Sequence, residues 1–149
     1  MRYYSLWPQS PGSAGPATVF GDRSVHPPEV LRLQVELDCW PADDLMEVWP
    51  CYVVTRSSSV KLQEAGVSGA EFDAARVVTT QEFGVLHPDA KLPDLVWLKV
   101  HGTAGEDDFG RDAAGSLVVS ERALQLLTVG TLDDPEVSEY HPGNQERAD

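Results

Sequence analysis

The chain has 149 residues, 42% of them hydrophobic, and 24 acidic residues against 11 basic ones give a formal net charge of −13. This length and composition predict one soluble globular domain whose core needs neither disulfides nor metal ions. The negative charge excludes nucleic acid and anionic membrane surfaces as partners, because both are repelled at long range, and it favours a basic partner or plain solubility.

The sequence carries no secretion signal and no membrane span. Its N-terminus lacks a basic and then apolar segment, and no apolar run approaches the ~20 residues that cross a bilayer. We therefore expect a cytoplasmic protein. The two cysteines, Cys39 and Cys51, are too few for a disulfide framework or a zinc set, and each neighbours an aromatic residue. We expect free, reduced thiols that are buried.

The first half of the chain predicts strands separated by loops rich in glycine and proline. The aromatic residues of "MRYYSLWP" favour a strand that Pro8 stops. Residues 9–28 predict a long loop or a ragged hairpin, with a short strand at residues 17–20. Apolar and polar residues alternate along Val30–Leu37, which predicts a strand with one buried face. Residues 51–56, "CYVVTR", predict the next strand.

The middle of the chain predicts one short helix and two more strands. The helix is expected to be capped by one of the serines at residues 57–59 and to end at Gly66. The β-branched residues 77–80 predict a strand. Leu95–Val100 predicts the most apolar strand, which we place at the centre of a sheet.

The C-terminal part predicts a strand, a helix and a last strand. "SLVVS" is the strand, and its final residue, Ser120, caps a helix that ends at Gly130. Residues 133–140 predict a short edge strand, and residues 141–149 a flexible tail. Since strands outnumber helices, we predict one α+β domain over residues 1–140, with a mixed or antiparallel sheet and about two short helices.

The segment "GEDDFG", residues 105–110, places three acids side by side between two glycines. An EF-hand calcium loop needs alternating ligands and a glutamate at its twelfth position, and neither is present. Two catalytic carboxylates must face each other across a cleft, whereas adjacent residues of one loop diverge. Two interpretations remain open, a solvated acidic turn and an acidic patch that binds a protein.

The histidines offer one catalytic candidate. Three of the four precede prolines and therefore lie in turns: His26, His87 and His141. His101 follows the apolar strand, and together with Asp107 or Asp108 it could form the His–carboxylate pair of a small metal-dependent hydrolase. The alternative is a histidine at a strand end, hydrogen-bonded to a loop. Serine-elbow and phosphate-loop motifs are absent, so we predict no enzyme, no cofactor and no metal site.

Two tryptophans, Trp40 and Trp49, flank a proline-bounded segment that also holds Asp43 and Asp44. Such large aromatic side chains either pack a loop against the core or remain exposed as anchors of an interface. Tryptophan with an acidic rim is typical of an interface hot spot.

The run "PDLVWLKVHGTAGEDDFGRDAAGSLVVSERALQLL" resembles the C-terminal part of a family of bacterial immunity proteins from polymorphic-toxin systems. This is immunity family eleven, formerly a domain of unknown function. The resemblance rests on the apolar strand, on "GEDDFG" and on "LVVSERALQLL", followed by an acidic "VSEY", and "YYSLWP" is weakly similar. It covers about a quarter of the chain.

The resemblance implies a cytoplasmic antitoxin that binds a cognate toxin domain and neutralises it by stoichiometric occlusion. The toxin domain is expected to be basic, a nuclease being one example, because an acidic inhibitor attracts a basic partner. The expected contact residues are Glu106, Asp107, Asp108, Asp112, Asp43, Asp44, Trp40 and Trp49. If "GEDDFG" is instead a turn that defines the fold, residues 9–28 and 38–50 become the better interface candidates. The metal-dependent hydrolase and a non-enzymatic adaptor domain are the alternatives.

Overall fold

The computed structural model describes residues 2–41, 43–92, 94–128 and 136–141. Strands and short helices alternate through these residues, which confirms the α+β class. No helix among them is long and apolar enough to cross a membrane. The elements in chain order are β1 (Tyr3–Trp7), β2 (Gly12–Ala14), β3 (Val19–Phe20), β4 (Val30–Leu37), β5 (Leu45–Val48), β6 (Cys51–Thr55), α1 (Arg56–Glu64), β7 (Ala70–Thr79), α2 (Gln81–Leu86), β8 (Leu95–Val100), β9 (Phe109–Arg111), β10 (Leu117–Ser120), α3 (Glu121–Thr128) and β11 (Glu136–Tyr140).

The larger of two sheets has seven strands in the order β2-β4-β7-β8-β6-β5, with β3 attached to β4. It is mixed, because β4 and β7 run parallel while the other neighbours are antiparallel. The apolar strand β8 lies at its centre, as predicted. The two ends of the sheet approach each other, since the Glu47 amide in β5 donates to the Gln9 carbonyl just before β2. The sheet therefore curls around its own apolar face.

The smaller sheet is antiparallel throughout, with the order β11-β1-β10-β9. Together with α1 and α3 it covers the outer face of the larger sheet. The core between them contains Leu6, Leu98, Phe109 and Leu127. The predicted edge strand is confirmed over Glu136–Tyr140.

Strands β6 and β8 carry near-continuous apolar runs because both of their faces are buried. On β6, Tyr52 and Val54 enter the core under the small sheet, whereas Cys51 and Val53 enter the core inside the curl. On β8, alternate residues divide in the same way. Both cysteines are free as predicted, and Cys51 is buried while Cys39 is only partly so.

The helices agree with the predicted class, but α2 was not predicted and the cap of α1 differs from the prediction. The described residues form three helices, and α1 begins after Thr55, whose side chain accepts a hydrogen bond from the Ser58 amide. The serines of residues 57–59 were therefore the wrong caps, since the helix already includes them. Gly66 follows α1 with φ 67°, as expected for a helix end.

The strand predicted at residues 77–80 is longer in the structure, and it ends one residue earlier. It is the end of β7, Ala70–Thr79, and Thr80 then caps α2 by accepting from the Phe83 amide. The cap of α3 is confirmed, because Ser120 Oγ accepts from the Ala123 amide at 3.1 Å. The predicted helix end at Gly130 and most of the predicted tail lie outside the described residues.

Candidate functional site

The acidic segment "GEDDFG" forms a tight turn that links β8 to β9. Gly105 adopts φ 82°, which favours glycine, and a Cβ on Gly110 would collide with the backbone of Ala104. The Asp107 amide donates to the Thr103 carbonyl at 3.0 Å, and its carboxylate accepts from the Thr103 amide at 2.8 Å. Both glycines and the middle acid therefore serve the geometry of the turn, while the Glu106 side chain is exposed.

Asp108 is only 8% exposed, and its carboxylate points into the protein. One oxygen accepts from Ser120 Oγ at 2.6 Å. The other accepts from the Ser68 amide at 2.9 Å and from the Arg122 guanidinium at 2.6 Å. The backbone of Asp108 also takes part, since its carbonyl accepts from the Ser120 amide. Asp108 thus ties the turn to the loop after α1 and to the start of α3.

Arg122 extends this network to the end of α1. Its guanidinium donates to the Ala65 carbonyl at 2.7 Å and to the Gly66 carbonyl at 3.4 Å. These carbonyls lie at a helix C-terminus, where backbone acceptors lack partners within the helix and a cation is favoured. One arginine side chain therefore joins the end of α1, the acidic turn and α3.

The network determines the ionisation of Asp108. Burial alone would raise the pKa of this carboxyl. The hydrogen bonds from Arg122, Ser120 and the Ser68 amide outweigh burial and lower its pKa to about 2. Asp108 is therefore a charged group whose partners are internal to the fold. Little of this carboxylate is therefore available to a partner, and its part in toxin binding stays a prediction.

The other predicted acids are also partly used by the fold. Asp112 accepts from the amides of Ala114 and Ser116, both at 2.9 Å, in the turn between β9 and β10. Asp44 is buried, and its carbonyl accepts from the Thr55 amide at 3.0 Å. Asp43 is partly buried. Of the five acids in the expected contact set besides Asp108, Glu106 alone has an exposed side chain.

The two tryptophans lie in different settings. Trp49 is 56% exposed in the turn between β5 and β6. Trp40 is 42% exposed, and its ring stacks on Phe83 with centroids 6.1 Å apart and contacts His87 at 5.8 Å. Phe83 is buried in the core inside the curled sheet. Trp40 therefore both packs against α2 and exposes part of its ring.

Sequence reasoning missed the exposed side of α2. Val85 and Leu86 are 73% and 68% exposed, more than any other large hydrophobic side chain in the described residues. Both line an open groove of about 720 Å³ together with Asp38 and Glu82. The sequence predicted no helix at residues 81–86, so no local pattern marked Val85 and Leu86 as exposed. We call Trp40, Val85, Leu86, Asp38 and Glu82 together the α2 surface.

The candidate pair of His101 with Asp107 or Asp108 is not formed. The His101 ring lies 4.0 Å from Glu71, and both side chains are exposed. Asp107 and Asp108 direct their carboxylates to the hydrogen bonds described above. Within the described ranges, no group of three or more His, Cys, Asp or Glu residues is placed to hold a metal ion.

A second cavity, of about 540 Å³, lies beside His101 and is also lined by Glu71, Lys99 and Arg111. Lys99 lies 3.6 Å from Asp73, and the Arg111 guanidinium donates to two backbone carbonyls. Cys51 contributes to the lining, but burial raises the pKa of its thiol to about 11. Burial also raises the pKa of Cys39, so neither thiol has the depressed pKa of a nucleophile.

The contacts of Asp108 unite two of the motifs on which the family resemblance rests. No protein-family model matches the sequence, and no curated protein does. "GEDDFG" supplies Asp108, and "LVVSERALQLL" supplies Ser120 and Arg122. The two motifs form one hydrogen-bonded unit, so their joint presence follows from the fold, whichever partner the protein binds.

Proposed function

We propose that this protein is an immunity protein that binds a basic toxin domain and neutralises it by occlusion. The observation that carries the proposal is a set of exposed carboxylates that form no ion pair among the described residues, in a chain of net charge −13. Asp38, Glu82 and Glu106 are exposed, and within the described parts of the chain none of them lies within 4.0 Å of a basic side-chain nitrogen. Such charges attract a basic partner and accelerate its association.

The size of the protein is compatible with occlusion. A stable interface covers roughly 800 Å² on each partner. The accessible surface of this chain is 8262 Å², so such an interface would occupy about a tenth of it. One face is therefore sufficient to block a toxin, and most of the surface remains free to keep the complex in solution.

A binding role is favoured over the metal-dependent hydrolase because Asp108, a candidate partner of His101, is buried and hydrogen-bonded within the fold. A general acid or base must reach the reacting group, and Asp108 is buried and engaged by three donors. An adaptor that binds some other basic protein would share the same surface chemistry, and the experiment below distinguishes the two.

The test is a co-expression rescue. The C-terminal domain encoded by the neighbouring upstream gene is induced in a host cell with and without this chain. We expect toxicity that this chain abolishes, followed by co-purification of the two proteins in a fixed ratio. An unrelated protein of equal length and similar negative charge, produced at the same level, is the control for charge alone. Toxicity that persists while this chain is soluble and abundant contradicts the proposal.

The association kinetics give a second test. Because attraction between opposite net charges is screened by salt, the association rate should fall roughly tenfold or more between low and high ionic strength. Stopped-flow or surface-based kinetics with an inactivated toxin domain measures this rate. An association rate that salt leaves unchanged would remove the electrostatic part of the proposal.

A further inference from the structure

We propose that the α2 surface is where the toxin domain docks, with Val85 and Leu86 as the apolar centre, Asp38 and Glu82 as the acidic edge, and Trp40 packed on α2 through Phe83. The occupant is a basic protein surface that places an apolar side chain in the groove and lysine or arginine beside it. This inference rests on the proposed function and specifies where that function resides.

The exposure of Val85 and Leu86, the apolar centre, is the first support. Val85 and Leu86 are neighbours on a helix of six residues, and only Phe83 of that helix is buried. Exposed apolar side chains that adjoin one another favour association, because the hydrophobic effect acts when a partner covers them. Single exposed hydrophobic residues elsewhere on the protein are ordinary and need no partner.

The rigidity of Trp40, which packs on α2, is the second support. Trp40 is held against Phe83 with an angle of 21° between the ring planes, and Phe83 is fixed in the core. His87 contacts both rings, at 5.8 Å and 5.0 Å. A tryptophan that is already ordered loses little side-chain freedom on binding, which is typical of interface anchors.

Charge decides which kind of partner fits. Asp38 and Glu82 line the groove with Val85 and Leu86, and both acids are exposed. Neither lies within 4.0 Å of a basic side-chain nitrogen in the described parts of the chain. A lysine or arginine from a partner would gain their attraction without displacing an existing ion pair. The occupant is therefore a basic protein, and a second copy of this acidic chain would be repelled.

The decisive variant is Val85→Glu with Leu86→Glu in the full-length chain. It removes the apolar centre but adds negative charge, so weaker binding could not be explained by a loss of electrostatic attraction. The probe is an inactivated form of the toxin domain that the wild-type chain neutralises. We expect the Kd to rise at least tenfold, mainly through faster dissociation, together with loss of growth rescue.

The matched control is Val60→Glu. Val60 is 46% exposed on α1, so the change has the same chemistry on another helix of the same protein. We expect the Kd of this variant to stay within about twofold of wild type, because surface changes away from an interface are nearly neutral. Circular dichroism and thermal unfolding confirm that each variant is folded, and Val85→Ser with Leu86→Ser replaces the double glutamate variant if that variant unfolds.

The charged edge is tested separately with Glu82→Lys. We expect association to slow several-fold at low salt, with a smaller effect from Glu106→Lys in the acidic turn. A larger effect from Glu106→Lys would overturn the assignment of the edge.

The outcomes separate the surface from the function. If the wild-type chain rescues growth and the folded Val85→Glu, Leu86→Glu variant binds as tightly as wild type, the α2 surface is overturned and the function stands. If the wild-type chain neither rescues nor binds, the proposed function itself fails. Light scattering that shows a wild-type dimer, converted to a monomer by the variant while toxin binding is unchanged, would assign the surface to self-association and overturn the proposal.

Discussion

The acidic turn and the α2 surface differ in how their side chains are used. The turn has the most conspicuous sequence, yet Asp108 is bonded to Ser68, Ser120 and Arg122, and Asp107 closes the turn itself. The α2 surface has an ordinary sequence, yet Val85 and Leu86 contribute little to the core. Acids that are adjacent in a sequence are therefore not necessarily available on the surface, and availability depends on hydrogen-bond partners that are distant in the chain.

The largest expected effect on stability concerns Phe83, which is the buried residue of α2, whereas Val85 and Leu86 are exposed. Phe83→Ala should lower the free energy of unfolding by about 4 kcal/mol, because it empties a packed position and removes the support of Trp40. Urea denaturation measures the change. Val85→Ala is the control and should cost about 0.5 kcal/mol or less. Equal losses for the two variants would contradict the division of α2 into a buried side and an exposed side.

Asp108→Ala should lower the free energy of unfolding by about 3 kcal/mol, since it leaves the Arg122 charge and the Ser120 hydroxyl without their acceptor. Glu106→Ala removes an acid from the same turn and should change stability by about 0.5 kcal/mol or less. Chemical denaturation of both variants compares them directly. A costly Glu106→Ala beside a neutral Asp108→Ala would reverse the roles assigned to these two acids.

Acid should remove the contribution of Asp108 over a defined pH range. Its pKa is about 2 in the folded protein, below the ordinary value of 3.8. Between these values the unfolded chain binds a proton that the folded protein does not, so stability falls as the pH falls. The contribution, roughly 2 kcal/mol, is fully present above about pH 4 and is lost as the pH approaches 2.

The Asp108→Asn variant isolates the pH-dependent contribution of Asp108 to the free energy of unfolding, because asparagine does not titrate. The difference in unfolding free energy between wild type and variant should be constant from pH 5 to pH 7 and shrink below about pH 4. A difference that stays constant down to pH 2 would show that the folded carboxyl has an ordinary pKa.

The smallest expected effect concerns the middle acid of the turn. Asp107→Ala should cost about 1 kcal/mol, because it removes the acceptor of the Thr103 amide. Asp107→Asn keeps an acceptor oxygen at the same place and should cost less. If the two substitutions are equally costly in thermal and urea unfolding, the charge of Asp107 matters more than its hydrogen bond.

The strands with a strong local pattern were predicted from the sequence. Val30–Leu37 has an alternating pattern and Leu95–Val100 is apolar throughout, and both patterns arise from burial within the element itself. The three-residue strand Phe109–Arg111 carries no periodicity, and α2 follows β-branched residues that favour a strand. The division into two sheets and the curl of the larger one depend on pairings between distant segments, which local patterns do not encode.

The candidate site was predictable only in part, for the same reason. Trp40 was identified from its residue type and its acidic neighbours, but its stacking on Phe83 depends on a contact across the fold. The partners of Asp108 lie 12, 14 and 40 residues away, so its internal role was hidden in the sequence. Val85 and Leu86 were missed because the sequence predicted no helix at residues 81–86, so no local pattern assigned either side chain to a face.

The link from Asp108 to Ser120 and Arg122 has a consequence for how relatives of this chain would vary. If any one of these three residues is substituted, hydrogen-bonding groups among the other two lose a partner. We therefore expect the three residues to be inherited together. Near α2, Trp40, Phe83 and His87 are joined by ring contacts. Glu82, Val85 and Leu86 lie outside these contacts and can change one at a time. Two relatives that share "GEDDFG" and "LVVSER" would then share this hydrogen-bonded unit, while the exposed residues of α2 vary independently of it.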